Sequence, residues 1–261
     1  MDSMKNFMKH IGMAVMGLLL SVPGSLNAQQ VEDPVKILFV GNSFTFFWNM
    51  PQLVSAMAKT QDFHMEVRQS TVSGSNLEQH WKGEKGSRTR ELIEEGEWDF
   101  IIFGGHSRAT LDAPERFREY GEKFARLARS KGAEPLFYMT WAYKSNPLMQ
   151  EKITRGYMDL ASGLRAKVLA VGPVFKKART LRPDLELFFD DKHPSPDGSY
   201  LIALTITKLL TGKSVEQIPD RLTIKDANDE KLYLSFVLPP TGDFMRQLVE
   251  TMDFEPYKTQ K

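Results

Sequence analysis

The sequence predicts an α/β protein built on a parallel sheet with helices on both faces. Short apolar runs rich in β-branched and aromatic residues alternate with stretches whose apolar residues recur at helical spacing. The best of those runs are closed by glycine-containing turns. The 261 residues suit one domain of this kind with a small appendage. Right-handed crossovers then gather the strand-to-helix loops at one sheet edge, where ligands bind in this architecture.

The elements follow in order. Ile37 to Val40 is a buried strand that ends in the turn Gly41-Asn42, with Ser43 presented just beyond it. Met50, Leu53, Val54, Met57 and Ala58 have the spacing of an amphipathic helix. Met65 and Val67 alternate with polar neighbours, as in a strand at the sheet edge. A loop from Thr71 to Gly86 holds Gly74, Leu77, His80 and Trp81, and Ser87 is placed to cap a short helix through Ile93. Trp98 to Phe103 reads as a strand closed by Gly104-Gly105, and Phe117 to Ala128 as a helix that Gly132 terminates. Pro135 to Trp141 is the next strand. Asn146-Pro147 opens a helix marked by Met149, Ile153, Tyr157, Leu160 and Leu164. Lys167 to Val171 is the last core strand, and the helix through Leu201, Ala203, Leu204 and Ile206 stops at Gly212. Residues 213–261 form the appendage. In it Leu222-Thr223-Ile224 and Leu232-Tyr233-Leu234 flank Asp226 to Asp229 as a hairpin, and Thr241 to Met252 reads as a closing helix packed on the domain.

Composition narrows the function. A 41% hydrophobic and 26% charged chain folds as a soluble globule, and a net charge of +1 shows no basic excess of the kind that binds nucleic acid. With no cysteine there are no disulfides, no thiolate zinc sites and no cysteine nucleophile. Residues 1–28 read as a secretory signal, with Lys5 and Lys9 ahead of the apolar run Ile11 to Val22 and Ala28 at the cleavage point. An uncleaved membrane anchor is the alternative. The expected mature protein starts near Gln29 and works in the periplasm or outside the cell, with no membrane contact after cleavage.

The chemistry concentrates in two stretches. Ser43 follows a strand and a glycine turn, the geometry that aims backbone N–H groups at a developing negative charge. Asp190 stands three residues before His193 in Asp190-Asp191-Lys192-His193-Pro194, a spacing that lets a carboxylate meet the imidazole Nδ1–H. Asp191 is the rival for that position. Ser195 is placed to cap the next helix with Pro196 at its first position. A serine hydroxyl needs such a base because it is a poor nucleophile alone.

Four stretches resemble the SGNH/GDSL hydrolases. Gly41-Asn42-Ser43 stands where that family has Gly-Asp-Ser, Gly74 resembles its glycine block, Asp190-Lys192-His193-Pro194 resembles its Asp-x-x-His-Pro block, and Trp98 to Ser107 occupies the place of its Gly-x-Asn-Asp block. The resemblance covers residues 35–212. It implies a flavodoxin-like three-layer sandwich on a five-stranded parallel sheet, and ester hydrolysis with Ser43 as nucleophile, His193 as base and Asp190 as its orienter. The N–H groups of Ser43 and Gly74 would stabilise the oxyanion. Phe103-Gly104-Gly105-His106-Ser107-Arg108 has no asparagine where the family draws its third donor, so His106, Ser107 or a substrate-bound water is the candidate replacement.

Asn42, Phe44, Trp81 and Ser107 are the candidate substrate contacts, and the crowd Phe44, Phe46, Phe47 and Trp48 reads either as packing under the turn or as a wall for an apolar or sugar group. The expected activity is a secreted serine esterase acting on small acyl esters, acetyl groups on carbohydrate among them, with no cofactor. Two alternatives stay open. One is a ligand-binding protein on the same fold. The other is a metal-dependent hydrolase using Asp190, Asp191, His193 and His106.

Overall fold

The computed structural model describes residues 33–259, so the signal segment lies outside the described residues. Strand β1 (Val35–Gly41) runs into a one-turn helix α1 (Ser43–Phe46), a short 3-10 turn and helix α2 (Met50–Lys59). Then come β2 (Met65–Thr71), α3 (Leu77–Lys82), α4 (Thr89–Glu95), β3 (Phe100–Gly104), α5 (Ala109–Asp112), α6 (Pro114–Ser130) and β4 (Glu134–Tyr138). The chain continues through α7 (Met149–Leu164), β5 (Lys167–Leu169), α8 (Val171–Leu181), α9 (Pro196–Thr211), β6 (Arg221–Lys225), β7 (Lys231–Phe236) and α10 (Pro239–Glu250).

The first five strands form one parallel sheet in the order β2-β1-β3-β4-β5. The chain leaves β1 for one neighbour, β2, and then crosses to the other, β3. The carboxyl end of β1 is therefore a topological switch point, where a crevice opens between diverging loops. Alternation along β1 fills both faces. Ile37 and Phe39 join one core with α2, α8 and α9, while Leu38 and Val40 join the other with α6 and α7, and all four side chains are fully buried. The result is the three-layer sandwich expected from the family resemblance.

The antiparallel hairpin β6–β7 and α10 pack on the α9 side, where Leu222, Val237, Met245, Leu248 and Val249 complete that core. Arg246 locks the arrangement, donating to the Tyr200 hydroxyl, the Ile218 carbonyl and the carboxylates of Asp220 and Asp243. Surrounded in this way, α9 is buried from Gly198 through Thr207 rather than amphipathic.

Local departures from the sequence reading have local causes. The segment read as a loop contains α3, opened by a capping box in which Asn76 accepts from Gln79 N and the Gln79 side chain accepts from Asn76 N. Ser87 does not cap α4, because its hydroxyl donates to the Gln79 carbonyl instead. Strand β5 stops at Leu169, and Val171 already opens α8 with Pro173 in its first turn. Asn146-Pro147 forms a turn ahead of α7 rather than its first residues.

Candidate active site

Ser43 sits at the first position of α1, directly beyond β1. Asn42 caps that turn, its Oδ1 accepting from Phe44 N at 3.0 Å. The Asn42 amide group donates to Ser75 O at 3.0 Å and Gly105 O at 3.1 Å, so one side chain ties together the loops that follow β1, β2 and β3. It is 3% exposed and both its amide hydrogens are spent on these carbonyls, which corrects the reading of Asn42 as a substrate contact.

The second half of the site comes from the segment ahead of α9. Residues 187–195 fold back on themselves: Phe188 bridges to Pro194, Phe189 N donates to His193 O at 2.8 Å, and Ser195 N donates to Leu187 O at 3.0 Å. Two indoles hold this turn on either side of His193. Trp141 donates to Lys192 O at 2.9 Å and Trp48 to Pro194 O at 2.8 Å. Ser195 caps α9 through Gly198 N at 3.0 Å, as its spacing predicts.

These two elements bring Ser43 and His193 together from positions 150 residues apart, with Oγ to Nε2 at 2.9 Å. On the far side of the ring, Nδ1 lies 2.7 Å from Asp190 Oδ2. Asp190 Oδ1 accepts from the amides of Lys192 at 2.8 Å and His193 at 2.7 Å. Burial alone pushes the Asp190 carboxyl up, but the His193 ring and the two amides outweigh it and hold it at about 2. It is therefore ionised at neutral pH, and an ionised acceptor at Nδ1 places the imidazole proton there, leaving Nε2 free to accept from Ser43. Asp191 is not its rival: its two oxygens accept from the Ser145 amide and hydroxyl, each at 2.8 Å. The imidazole stacks on Phe47, with centroids 4.5 Å apart and planes 7° apart, and meets the edge of Phe44.

Tied to the Ser43 turn through Asn42 is the Gly74–Ser75 loop. Gly74 adopts φ +61°, a left-handed turn with open space where a Cβ would stand. Neither the Ser43 nor the Gly74 amide is spent on a turn, loop or cap bond among the described residues. The loop is pinned from behind by a buried network that sequence reasoning did not find. His80, 1% exposed, places Nε2 at 2.9 Å from Gly41 O and 2.7 Å from Ser75 Oγ, while Nδ1 lies 2.6 Å from Thr89 Oγ1, which meets Ser70 Oγ at 2.8 Å. A carbonyl only accepts, so the proton is on Nε2 and Nδ1 accepts from Thr89. Burial pushes the His80 proton affinity down, which keeps the ring neutral.

The remaining predicted residues separate. Phe44 is 3% exposed and stacks on Trp141 at 4.6 Å, so it packs beneath the site rather than lining it. Trp81 meets Phe124 edge-on and lines a separate groove of about 390 Å3 with Arg88, Arg90 and Glu91; it is not a contact of Ser43. Ser107 is buried against the Tyr143 hydroxyl at 2.8 Å. Phe44 and Ser107 are corrected from substrate contacts to buried packing residues, and Trp81 to a residue of that separate groove. His106 is half-buried beyond β3, and burial followed by the charge of Lys192 lowers its proton affinity. Asp190, Asp191, His193 and His106 do not gather as a ligand set, and among the described residues no three His, Asp or Glu side chains converge as metal ligands.

No protein-family model matches the chain, and no curated protein matches it. Solved structures do. A DUF4886 family protein from Bacteroides uniformis superimposes with a TM-score of 0.67 at 17% identity, covering 87% of this chain and 98% of its own. A protein from Slackia heliotrinireducens, designated an SGNH hydrolase, gives 0.59 at 23% identity over 68% of this chain and 100% of its own. A member of the lipolytic protein G-D-S-L family from Veillonella parvula gives 0.51 at 15% identity, over 68% and 98%. At these identities the likeness establishes the fold.

Proposed function

From the SGNH/GDSL hydrolase fold as premise, we propose that this protein is a serine esterase that removes small acyl groups, acetyl among them, from carbohydrate or other small alcohols. One observation carries the reading: the unbroken relay from Ser43 Oγ through the His193 ring to Asp190, at 2.9 and 2.7 Å. In the reaction Ser43 Oγ attacks the ester carbonyl as Nε2 takes its proton. The amides of Ser43 and Gly74 receive the oxyanion. The C–O bond to the alcohol then breaks, and Nε2 returns the proton to the leaving oxygen. Water then attacks the acyl carbon as the same nitrogen takes its proton, the bond to Ser43 Oγ breaks to release the acid, and Nε2 returns the proton to Oγ. His106 takes the place of the missing asparagine donor. Its Nδ1 accepts weakly from Arg108 N at 3.5 Å, which favours the proton on Nε2, and its lowered proton affinity keeps it neutral.

Ser43→Ala is the test. The folded variant is expected to lose turnover of an aryl acetate and to lose the mass adduct that a serine-reactive organophosphonate leaves on the wild type. Full residual turnover refutes the assignment. The altered third donor supports a second reading, a ligand-binding protein with weak catalysis, and a folded wild type that takes no adduct favours it. Export to the periplasm or beyond is part of the proposal, and a mature chain beginning near Gln29 is its expected mark.

A further inference from the structure

We propose that Trp48 and Phe189 form a stacking platform for the alcohol half of the substrate, and that this alcohol is a ring with a flat apolar face. The inference rests on the esterase reading. In that reaction the leaving oxygen collects its proton from His193 Nε2, so the alcohol departs past the residues that surround this imidazole. Phe44 and Phe47 contact the ring directly, and Phe189 and Trp48 extend this aromatic cluster outward. Phe47 covers one face of the ring, Phe189 lies 6.3 Å from Phe47, and Trp48 meets Phe189 nearly edge-on at 6.1 Å and 70°.

The two outer rings are held in place without being buried. Trp48 is 41% exposed and Phe189 is 65% exposed. Trp48 and Asn49 both adopt φ 53°, a left-handed backbone that bulky residues rarely take. The bond from the indole to Pro194 O keeps Trp48 there, and the bond from Phe189 N to His193 O fixes the backbone that carries Phe189. Rigid, solvent-facing rings set at an angle reward a flat partner more than a flexible chain, because little conformational freedom is lost on contact. The polar Asn49, Asp190 and Asp191 beside them are exposed and leave the partner's edges in water. An aryl group and the C–H face of a pyranose share this chemistry.

The experiment compares kcat/KM for phenyl acetate, a monoacetylated methyl pyranoside and ethyl acetate in wild type, Phe189→Ala and Trp48→Leu. The acyl group is common to all three, so the ratio of each ring ester to ethyl acetate isolates the alcohol. At least one ratio is expected to fall about tenfold in each variant, roughly the worth of one aromatic contact. A fall for both ring esters identifies a general ring platform, and a fall for one alone identifies which ring it serves. Unchanged ratios overturn the proposal, including the case where all three rates drop together. If the wild type cleaves none of the three, the esterase reading fails, and the platform is decided separately on Ser43→Ala. Phenol or methyl glucopyranoside should then shift the Trp48 indole N–H resonance, and the absence of any shift ends the proposal.

Discussion

Replacing Asp190 by asparagine should damage turnover more than replacing it by alanine, although asparagine is the closer mimic. The carboxylate does two things. It stabilises the imidazolium that forms as Ser43 attacks, and it holds the proton on Nδ1 at 2.7 Å. Opposite charges about 4 Å apart are worth about 1 kcal/mol in water and about 4 kcal/mol at a protein surface. Asp190 is 46% exposed and His193 17% exposed, which places the value near 2 kcal/mol, or about thirtyfold in rate. Alanine loses that much, with water free to serve Nδ1. Asparagine adds a tautomer error. The amides of Lys192 and His193, which donate to Oδ1 at 2.8 and 2.7 Å, still demand an acceptor, so the asparagine oxygen faces them and its NH2 faces Nδ1. The ring proton is then driven to Nε2, and Ser43 has no base. Undoing this costs a further pair of hydrogen bonds, about 2 kcal/mol, for a total loss near a thousandfold. The assay is kcat/KM for an aryl acetate, with circular dichroism to confirm folding. An asparagine variant as active as the alanine variant, or retaining a tenth of wild-type activity, would refute the reasoning. Because the Asp190 carboxyl is held at about 2, it contributes stability above the unfolded carboxylate range that is lost only as pH falls toward 2; activity lost between pH 7 and 5 is therefore not its titration.

The buried network behind the Gly74 loop predicts that His80→Ala costs about 3 kcal/mol in urea unfolding, from lost buried hydrogen bonds and the cavity left behind, and slows turnover as the loop loosens; a loss under 1 kcal/mol would sink that account. His80 is also kept neutral by burial, so the unfolded chain takes up a proton first. Stability should fall as pH drops below about 6.5, and a His80→Gln variant should flatten that slope; an identical slope in the variant would contradict the assignment. Gly74→Ala meets open space but must hold φ +61°, so unfolding should show a loss near 1 kcal/mol, and no loss would argue that the turn relaxes.

Much of this architecture is written in local pattern. The alternation of Ile37 to Val40 with the helical spacing from Met50 onward follows from two periodicities that need no partner to be recognised. Ser195 and Pro196 at the start of α9 and Gly212 at its end obey short-range capping rules. Even α3 was within reach, since Asn76 and Gln79 stand at capping-box spacing. Ser87 shows the limit of such rules: a hydroxyl at a plausible cap position went to the Gln79 carbonyl because tertiary packing brought it there first.

The linear chain by itself determined the alternating strands and helices, the serine beyond the first strand and the acid–imidazole pair ahead of α9, because each depends on neighbours a few residues away. Only the tertiary structure decided the choice between Asp190 and Asp191, the clasp made by Asn42, the network around His80 and the exposed pair Trp48 and Phe189. Those depend on which groups from distant segments arrive within about 3 Å, and hydrogen bonding at that range is set by the packing of whole layers rather than by spacing along the chain.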